Sequence, residues 1–296
     1  MKSKPWLVYA LITTIFWGVW GAFAELPAQN GFPETLVYCV WALTMIPPAI
    51  FVLYRANWKL QVDRKSIFYG SLIGLLGAGG QMILFHAITI GPTYYIFPII
   101  SVSPIITIAL SYFLLKERTG SKGTLGIILA LISLPLFNYA SESSGDEYGV
   151  SWFLLSVLVL FAWGLQAYFM KTANEIMSAE SIFFYMTVTG LLIIPIALLM
   201  TDFSQEINWG ANGPWLAAGT QVLNAIGALT LVFAFRYGKA MVISPLTNAG
   251  APLITAIIAM IVLDFVPGII KIIGIVLAII SALLLAIDPE EELEES

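Results

Sequence analysis

The sequence predicts an all-α integral membrane protein with ten transmembrane helices, arranged as two inverted repeats of five helices with both termini in the cytoplasm. Three observations predict this fold class. Long apolar runs occupy most of the chain, Lys and Arg collect between alternate runs, and the second half repeats Trp, Gly and Pro positions of the first half. Little of the chain is left over for a soluble domain.

Ten apolar runs supply the ten predicted helices. Hydrophobic residues make up 59% and charged residues 10% of the 296 residues, whereas a soluble domain carries about 25% charged residues. A helix needs about 20 apolar residues to cross the hydrocarbon core of a bilayer. Runs of about this length cover residues 5–25, 35–54, 67–90, 93–115, 123–140, 150–170, 181–201, 213–235, 240–263 and 268–287. The first run is too long for a signal peptide and lacks a small-residue cleavage site, so we expect it to be retained.

The distribution of Lys and Arg predicts the orientation. Cytoplasmic loops of membrane proteins are enriched in these two residues. With ten helices and the N-terminus in the cytoplasm, 12 of the 13 Lys and Arg residues fall on the inner side, and only Lys271 falls on the outer side. One helix more or fewer would place part of the second half on the wrong side. We therefore predict ten helices with both termini inside.

An internal repeat divides the chain into two halves. The matched pairs, 146 to 148 residues apart, are Trp6 and Trp152, Trp17 and Trp163, Gly18 and Gly164, Glu34 and Glu180, Pro48 and Pro195, Ala87 and Ala234, Gly91 and Gly238, Pro98 and Pro245, Pro104 and Pro252, and Gly126 and Gly274. We predict one five-helix repeat over residues 1–140, a second over residues 148–288, and a solvated acidic tail over residues 289–296. Because five is odd, the second repeat enters the bilayer from the opposite side. Inverted repeats are characteristic of secondary transporters; the alternative is that duplication only built a stable bundle.

Short motifs mark the first and fourth helices. Each half has a Trp-Gly pair in its first helix, at Trp17-Gly18 and Trp163-Gly164. Ala87–Gly91 reads Ala-Ile-Thr-Ile-Gly before the fourth helix, which contains Ser103-Pro104 and ends in Leu-Lys-Glu-Arg at Leu115–Arg118. Together with the two five-helix halves, these motifs resemble the EamA type of the drug/metabolite transporter superfamily. The resemblance covers essentially the whole chain and implies both the fold and a carrier activity.

The second half departs from the pattern of this family at one place. Leu263-Asp264-Phe265 stands after the ninth helix, where the resemblance would place Leu-Gly-Glu. The resemblance therefore implies no shared role for the acid at this position.

Prolines at corresponding positions of the two halves predict interrupted helices. A proline removes a backbone donor and kinks a helix, and in lipid such a break is tolerated mainly where it faces protein or a cavity. Paired breaks are therefore a pointer to a transport site. The predicted kinks are Pro48, Pro98, Pro104, Pro195, Pro245 and Pro252. The alternative is that they serve only the packing of the bundle.

Aromatic and polar side chains at middle depth are the candidate substrate-binding residues. Trp17 and Trp20 lie one turn apart on the first helix, and their counterparts in the second half are Trp163 and Gln166. Trp normally prefers the membrane interfaces, and unpaired amides in hydrocarbon are costly, so we expect these side chains to face a cavity. The other candidates are Gln81, Ser101, Ser103, Gln221, Asn224, Ser244 and Asn248. The alternative roles are helix packing and interhelical hydrogen bonds.

No Asp, Glu, Lys or Arg lies near the middle of any apolar run. An ionisable residue at that depth is the usual mark of a proton relay, so the sequence disfavours proton antiport through a mid-membrane carboxylate. Glu25 and His86, near the outer ends of the first and third helices, are the candidate proton or gate residues, with hydration or packing as their alternative roles. An uncharged cavity of aromatic and amide side chains suits a neutral or zwitterionic substrate.

The sequence predicts that the protein is not an enzyme and that it has no cofactor, metal site or nucleic-acid partner. Cys39 is the only cysteine, which excludes an intrachain disulfide and a multi-cysteine metal site. The single His excludes a zinc helix with two His ligands, and neither Gly-x-Ser-x-Gly nor an acid pair within the apolar runs occurs.

The expected function is that of a polytopic carrier in the cytoplasmic (inner) membrane of a bacterium, working by alternating access as a monomer or homodimer. The expected cargo is a small neutral or zwitterionic metabolite resembling an amino acid, and the expected direction is export, with protons as a candidate coupling ion. Two alternatives stay open: a carrier for uptake of a sugar or nucleoside-like solute, and a membrane receptor that binds without transporting.

Overall fold

The computed structural model describes residues 4–91, 93–137, 149–262 and 268–287, and all regular structure in these ranges is helical. The α-helices are α1 (Pro5–Phe23), α2 (Leu26–Gln29), α3 (Glu34–Thr44), α4 (Ile46–Arg55), α5 (Arg64–Ile90), α6 (Thr93–Ser101), α7 (Pro104–Phe113), α8 (Ser121–Phe137), α9 (Ser151–Ala173), α10 (Ala179–Met200), α11 (Leu216–Tyr237), α12 (Ala240–Val262) and α13 (Ile269–Ile287). A π-helical turn, Ala211–Trp215, directly precedes α11. The predicted acidic tail, 289–296, and the Leu263-Asp264-Phe265 segment lie outside the described residues.

Eight helical stretches in the described ranges are long and apolar enough to cross a membrane. They are Pro5–Gln29, Glu34–Arg55, Arg64–Ile88, Ser151–Ala173, Ala179–Met200, Ala211–Tyr237, Ala240–Val262 and Ile269–Ile287. Two shorter apolar helices, Ile99–Phe113 and Ser121–Leu136, fall in the fourth and fifth predicted runs. The fourth run consists of α6 and α7, which are separated by Val102 and Ser103.

Helix interruptions coincide with prolines in the first half. α3 gives way to α4 at Met45, two residues before the pair Pro47-Pro48, and α6 gives way to α7 directly before Pro104. Proline is tolerated in the first turn of a helix because the amide there has no helical acceptor to lose. The remaining predicted kinks, Pro98, Pro195, Pro245 and Pro252, lie within α6, α10 and α12, which continue as single helices.

Short side chains cap two helices that begin on the same side of the bundle. Asp63 precedes α5, and its Oδ1 accepts hydrogen bonds from the backbone amides of Lys65 (3.1 Å) and Ser66 (3.2 Å). The hydrogen bonds from Ser66 hold the pKa of the Asp63 carboxyl below its usual value. Ser178 precedes α10, and its Oγ accepts a hydrogen bond from the amide of Ser181 (3.2 Å). Such caps satisfy amides that have no partner within the helix.

The two halves pack through matching sets of helices. α1 packs against α11 and α12, while α9, its counterpart in the repeat, packs against α5 and α7. Thr255 Oγ1 on α12 donates a hydrogen bond to the Gly18 carbonyl on α1 (2.8 Å). Thr107 Oγ1 on α7 donates to the Gly164 carbonyl on α9 in the same way (3.0 Å). Glycine at both positions lets the helices approach closely, so the same close crossing occurs twice.

The last helix of each half, α8 and α13, packs against the other at the side of the bundle. Ser281 Oγ on α13 donates to the Gly126 carbonyl on α8 (2.8 Å), and Gly274 on α13 faces Leu136 of α8. The outward side chains of α13, such as Ile273 and Leu283, are exposed. In a bilayer such surfaces meet lipid tails that are equally apolar.

Candidate functional site

A cavity of about 340 Å³ lies between the two halves. Its lining comes from α1, α3 and α5 of the first half and from α9, α10, α11 and α12 of the second half. Ser103, at the break between α6 and α7, completes the wall. The volume lies at the lower end of the range of about 300–1,000 Å³ that is typical of small-molecule sites.

The structure brings most of the predicted substrate-binding residues to this cavity. Nine of them line it, namely Trp17, Trp20, Gln81, Ser103, Trp163, Gln166, Asn224, Ser244 and Asn248. Gln221 is buried behind Trp20, and Ser101, the last residue of α6, is not among the lining residues. The contact of any of these residues with a substrate stays a prediction.

Trp17 and Trp163 form equivalent contacts on opposite walls of the cavity. Trp17 Nε1 donates a hydrogen bond to the carbonyl of Asn224 on α11 (3.3 Å). Trp163 Nε1 donates to the carbonyl of Gly77 on α5 (3.4 Å). Each indole also lies against a helix at a glycine, because a Cβ built at Gly227 or Gly80 would collide with the ring of Trp17 or Trp163 respectively. The N–H groups are therefore occupied by the protein, and the ring surfaces are what these residues offer to a ligand.

Trp20 and Gln166, one turn further along α1 and α9, break this symmetry. Trp20 Nε1 donates a hydrogen bond to Gln221 Oε1 (3.2 Å), which fixes the indole against α11. At the corresponding place on the other wall, the amide of Gln166 lies against Gly77, where an added Cβ would collide with it. One wall thus presents a second aromatic ring, and the other presents an amide. A ligand with one apolar and one polar end matches this difference.

α12 contributes a stripe of polar groups to the cavity. Asn248 Nδ2 donates a hydrogen bond to the carbonyl of Ser244 (2.9 Å), and both residues line the wall. Pro252, also at the wall, has no N–H and cannot donate the usual helical hydrogen bond to the carbonyl of Asn248. This carbonyl and the Asn248 side chain lie where they can receive a polar substrate group.

The cavity wall consists of uncharged side chains. No Asp, Glu, Lys, Arg or His is among the described residues that line it. Glu25 lies exposed in the short break between α1 and α2, where its carboxylate accepts a hydrogen bond from Gln29 Nε2 (3.5 Å). His86 lies exposed on α5. Neither is part of the cavity wall, and their role as proton or gate residues stays a prediction.

Several lining residues were not among the predicted ones. Trp41 and Met45 come from α3 and its junction with α4, and Met186 comes from α10. The polar residues near the middle of their runs, such as Thr44 and Thr187, are threonines without an amide or a charge, and they were not among the candidates. The signal was the Pro47-Pro48 pair, which marks a helix break beside Met45. The flexible thioether side chains of Met45 and Met186 let the wall adapt to the shape of a ligand.

The sequence matches the family model described as the EamA-like transporter family over residues 4–139 and 150–287. It is 24% identical over 135 residues to an uncharacterised protein of Methanocaldococcus jannaschii, covering 46% of this chain and 97% of that protein. It is 24% identical over 215 residues to protein LicB of Haemophilus influenzae, covering 68% of this chain and 70% of LicB. An uncharacterised transporter of Clostridium kluyveri is 25% identical over 206 residues, covering 64% of this chain and 65% of that protein.

A protein of known crystal structure has the same fold. It superposes with a TM-score of 0.77 over 95% of this chain and 98% of that chain, at 16% sequence identity. At this level of identity the likeness shows the fold alone.

All residues that line the cavity lie within the two segments matched by the family model. With the apolar helices, this match identifies an integral membrane protein of the drug/metabolite transporter superfamily, which moves small solutes. The chain belongs to the EamA-like transporter family.

Proposed function

We propose that the protein is a secondary carrier that moves a small neutral or zwitterionic metabolite resembling an amino acid across the cytoplasmic membrane. It works by alternating access in the direction of export. The observation that carries this proposal is the cavity between the halves, which is lined by aromatic, amide and hydroxyl side chains and, among the described residues, by no ionisable one.

The proposed architecture has ten membrane-spanning segments in two inverted five-helix repeats, 1–140 and 148–288, with both termini in the cytoplasm. The family model supports the division, since it matches residues 4–139 and 150–287 separately. The two equivalent crossings, Gly18 with Thr255 and Gly164 with Thr107, support a symmetry between the halves. Exchanging the conformations of two such halves converts an inward-open carrier into an outward-open one.

The chemistry of the wall supports the proposed cargo. A charged substrate without a counter-charge would lose its hydration on entering an uncharged cavity, at a cost of several kcal/mol. A neutral solute avoids most of this cost, and in a zwitterion the attraction between the two opposite charges offsets part of it. The polar end of such a solute can use Asn224, Asn248 and Gln166. Its apolar part can rest on the rings of Trp17 and Trp163.

Reconstitution of the purified protein in sealed liposomes tests this function. Amino acids, sugars, nucleosides and organic cations are offered as radiolabelled solutes, with and without an imposed pH gradient. We expect flux of a neutral or zwitterionic amino-acid-like solute, and a response to the gradient would identify protons as the coupling ion. If only sugars or nucleosides cross, the substrate is a solute of that class and not one resembling an amino acid. Binding of a solute without flux would favour a receptor instead.

A further inference from the structure

The carboxylate of Glu117 joins the two halves at the end of the bundle that the Lys and Arg distribution places in the cytoplasm. Glu117 follows α7, and its Oε1 accepts a hydrogen bond from the backbone amide of Ala240 (3.1 Å). Its Oε2 accepts a hydrogen bond from the amide of Met241 (3.0 Å). Beside it, Lys239 Nζ donates to the carbonyl of Arg118 (3.0 Å). The contact thus ties α7 of the first half to the first turn of α12 in the second half.

The first turn of α12 is a favourable place for such a carboxylate. The first amides of a helix have no acceptor within the helix, and the partial positive charge of the helix N-terminus attracts an anion. Lys171 at the end of α9 and Lys239 face the same carboxylate and add to this attraction. Removing the carboxylate would leave the amides of Ala240 and Met241 without these acceptors.

The segment that Glu117 holds leads directly into the cavity wall. Ser244, Thr247 and Asn248 line the cavity within two turns of Met241. Pro245 lies between them and cannot donate a helical hydrogen bond to the carbonyl of Met241. The first turn of α12 is therefore held to the rest of the helix by fewer hydrogen bonds than an ordinary turn, and it can pivot at Pro245.

We propose that Glu117 is a latch between the halves, which keeps the first turn of α12 against α7 and so closes the cytoplasmic end of the cavity. This inference rests on the proposed alternating-access function. Release of the latch lets the turn before Pro245 swing away from α7 and opens the cavity to the cytoplasm.

Both oxygens of the Glu117 carboxylate accept a backbone hydrogen bond, so the latched geometry uses the ionised group. Burial raises the pKa of the Glu117 carboxyl above its usual value, against the opposing effects of the two backbone hydrogen bonds and of Lys171 and Lys239.

Cysteine labelling from the cytoplasmic side tests the latch. The reporter is Ser244→Cys in a Cys39→Ala background, reacted with a membrane-impermeant maleimide in inside-out vesicles. We expect Glu117→Ala to raise the labelling rate about tenfold, because it removes the charge-assisted hydrogen bonds that hold the latched conformation, and the loss of such bonds shifts an equilibrium by about this factor. The matched control is Asp63→Ala, which removes a carboxylate on the same side of the bundle. Asp63 caps α5 through the amides of Lys65 and Ser66, so its hydrogen bonds stay within the first half. We expect this control to leave the labelling rate unchanged.

Glu117→Gln tests the role of the negative charge, because its amide is uncharged and keeps one acceptor. We expect its labelling rate to lie between that of the protein with Glu117 intact and that of Glu117→Ala, whereas a rate above that of Glu117→Ala would overturn the latch. Equal labelling of Glu117→Ala and the protein with Glu117 intact would overturn the latch.

The two proposals fail in distinguishable ways. Failure of the function appears as absence of solute flux in liposomes while the labelling still responds to Glu117→Ala. Failure of the latch appears as normal flux with labelling that does not depend on residue 117.

Discussion

At the scale of single residues, a residue of the cavity wall can use one polar group to bind a neighbouring helix and present another to the cavity. The backbone carbonyl of Asn224 accepts the hydrogen bond of Trp17, while its side chain lines the wall. The two functions of this residue can be separated, because a substitution removes the side chain and keeps the carbonyl.

Asn224→Ala should weaken transport without unfolding the protein. It removes an amide that the substrate can use but leaves the Trp17 hydrogen bond intact. We expect the KM for the transported solute to rise about tenfold, the effect of one hydrogen bond of about 1–1.5 kcal/mol. The measurement is initial flux in liposomes, with Gln205→Ala in an exposed loop as the control. An unchanged KM would remove Asn224 from the binding site.

Gly227 and Gly219 on α11 form a matched pair for stability. A Cβ at Gly227 would collide with the indole of Trp17, whereas a Cβ at Gly219 would meet nothing within 4 Å. We expect Gly227→Ala to lower the free energy of unfolding by about 1–3 kcal/mol and to impair flux by displacing Trp17. Gly219→Ala should leave both properties intact or gain slightly in stability, since Ala favours helix. Thermal unfolding in detergent measures the difference, and equal behaviour of the two variants would contradict the packing.

At the scale of helices, the informative features are the places where the hydrogen bonding is broken. α12 carries Pro245 and Pro252 among its cavity residues, and α3 ends at Met45 beside the cavity. Breaks at such places provide free carbonyls for a ligand and points at which a helix can bend.

Pro252→Ala should stiffen α12 and slow transport. The new amide can donate to the carbonyl of Asn248, which removes a free acceptor from the cavity and a bending point from the helix. We expect a several-fold loss of flux together with unchanged or higher thermal stability, because the restored helical hydrogen bond offsets the freedom that the unfolded chain gains when proline is removed. The matched control is Pro135→Ala, because Pro135 lies inside α8, a helix that does not line the cavity. Equal effects on flux in both variants would show that the helix break at the cavity has no special role.

At the scale of the whole molecule, the helical pattern could be predicted from the sequence because long apolar runs determine it directly. All ten predicted runs contain helix in the described residues, with eight stretches of spanning length. Likewise, nine cavity residues followed from middle depth and the repeat. Trp41 and Met186 could not be found this way, because neither is an amide or hydroxyl residue and neither belongs to a pair matched between the two halves. The contact of Glu117 with Ala240 links residues 123 positions apart, and only the fold brings them together.

The central claim is that two matching halves expose one uncharged cavity alternately to the two sides of a membrane. Counterflow tests it most directly. Liposomes containing the protein are loaded with a high concentration of an unlabelled amino-acid-like solute and diluted into a trace of the same solute in labelled form. We predict a transient accumulation of label inside, above its equilibrium level, which Asn224→Ala reduces. Label that only approaches equilibrium, for every solute that crosses, would indicate a channel and contradict alternating access.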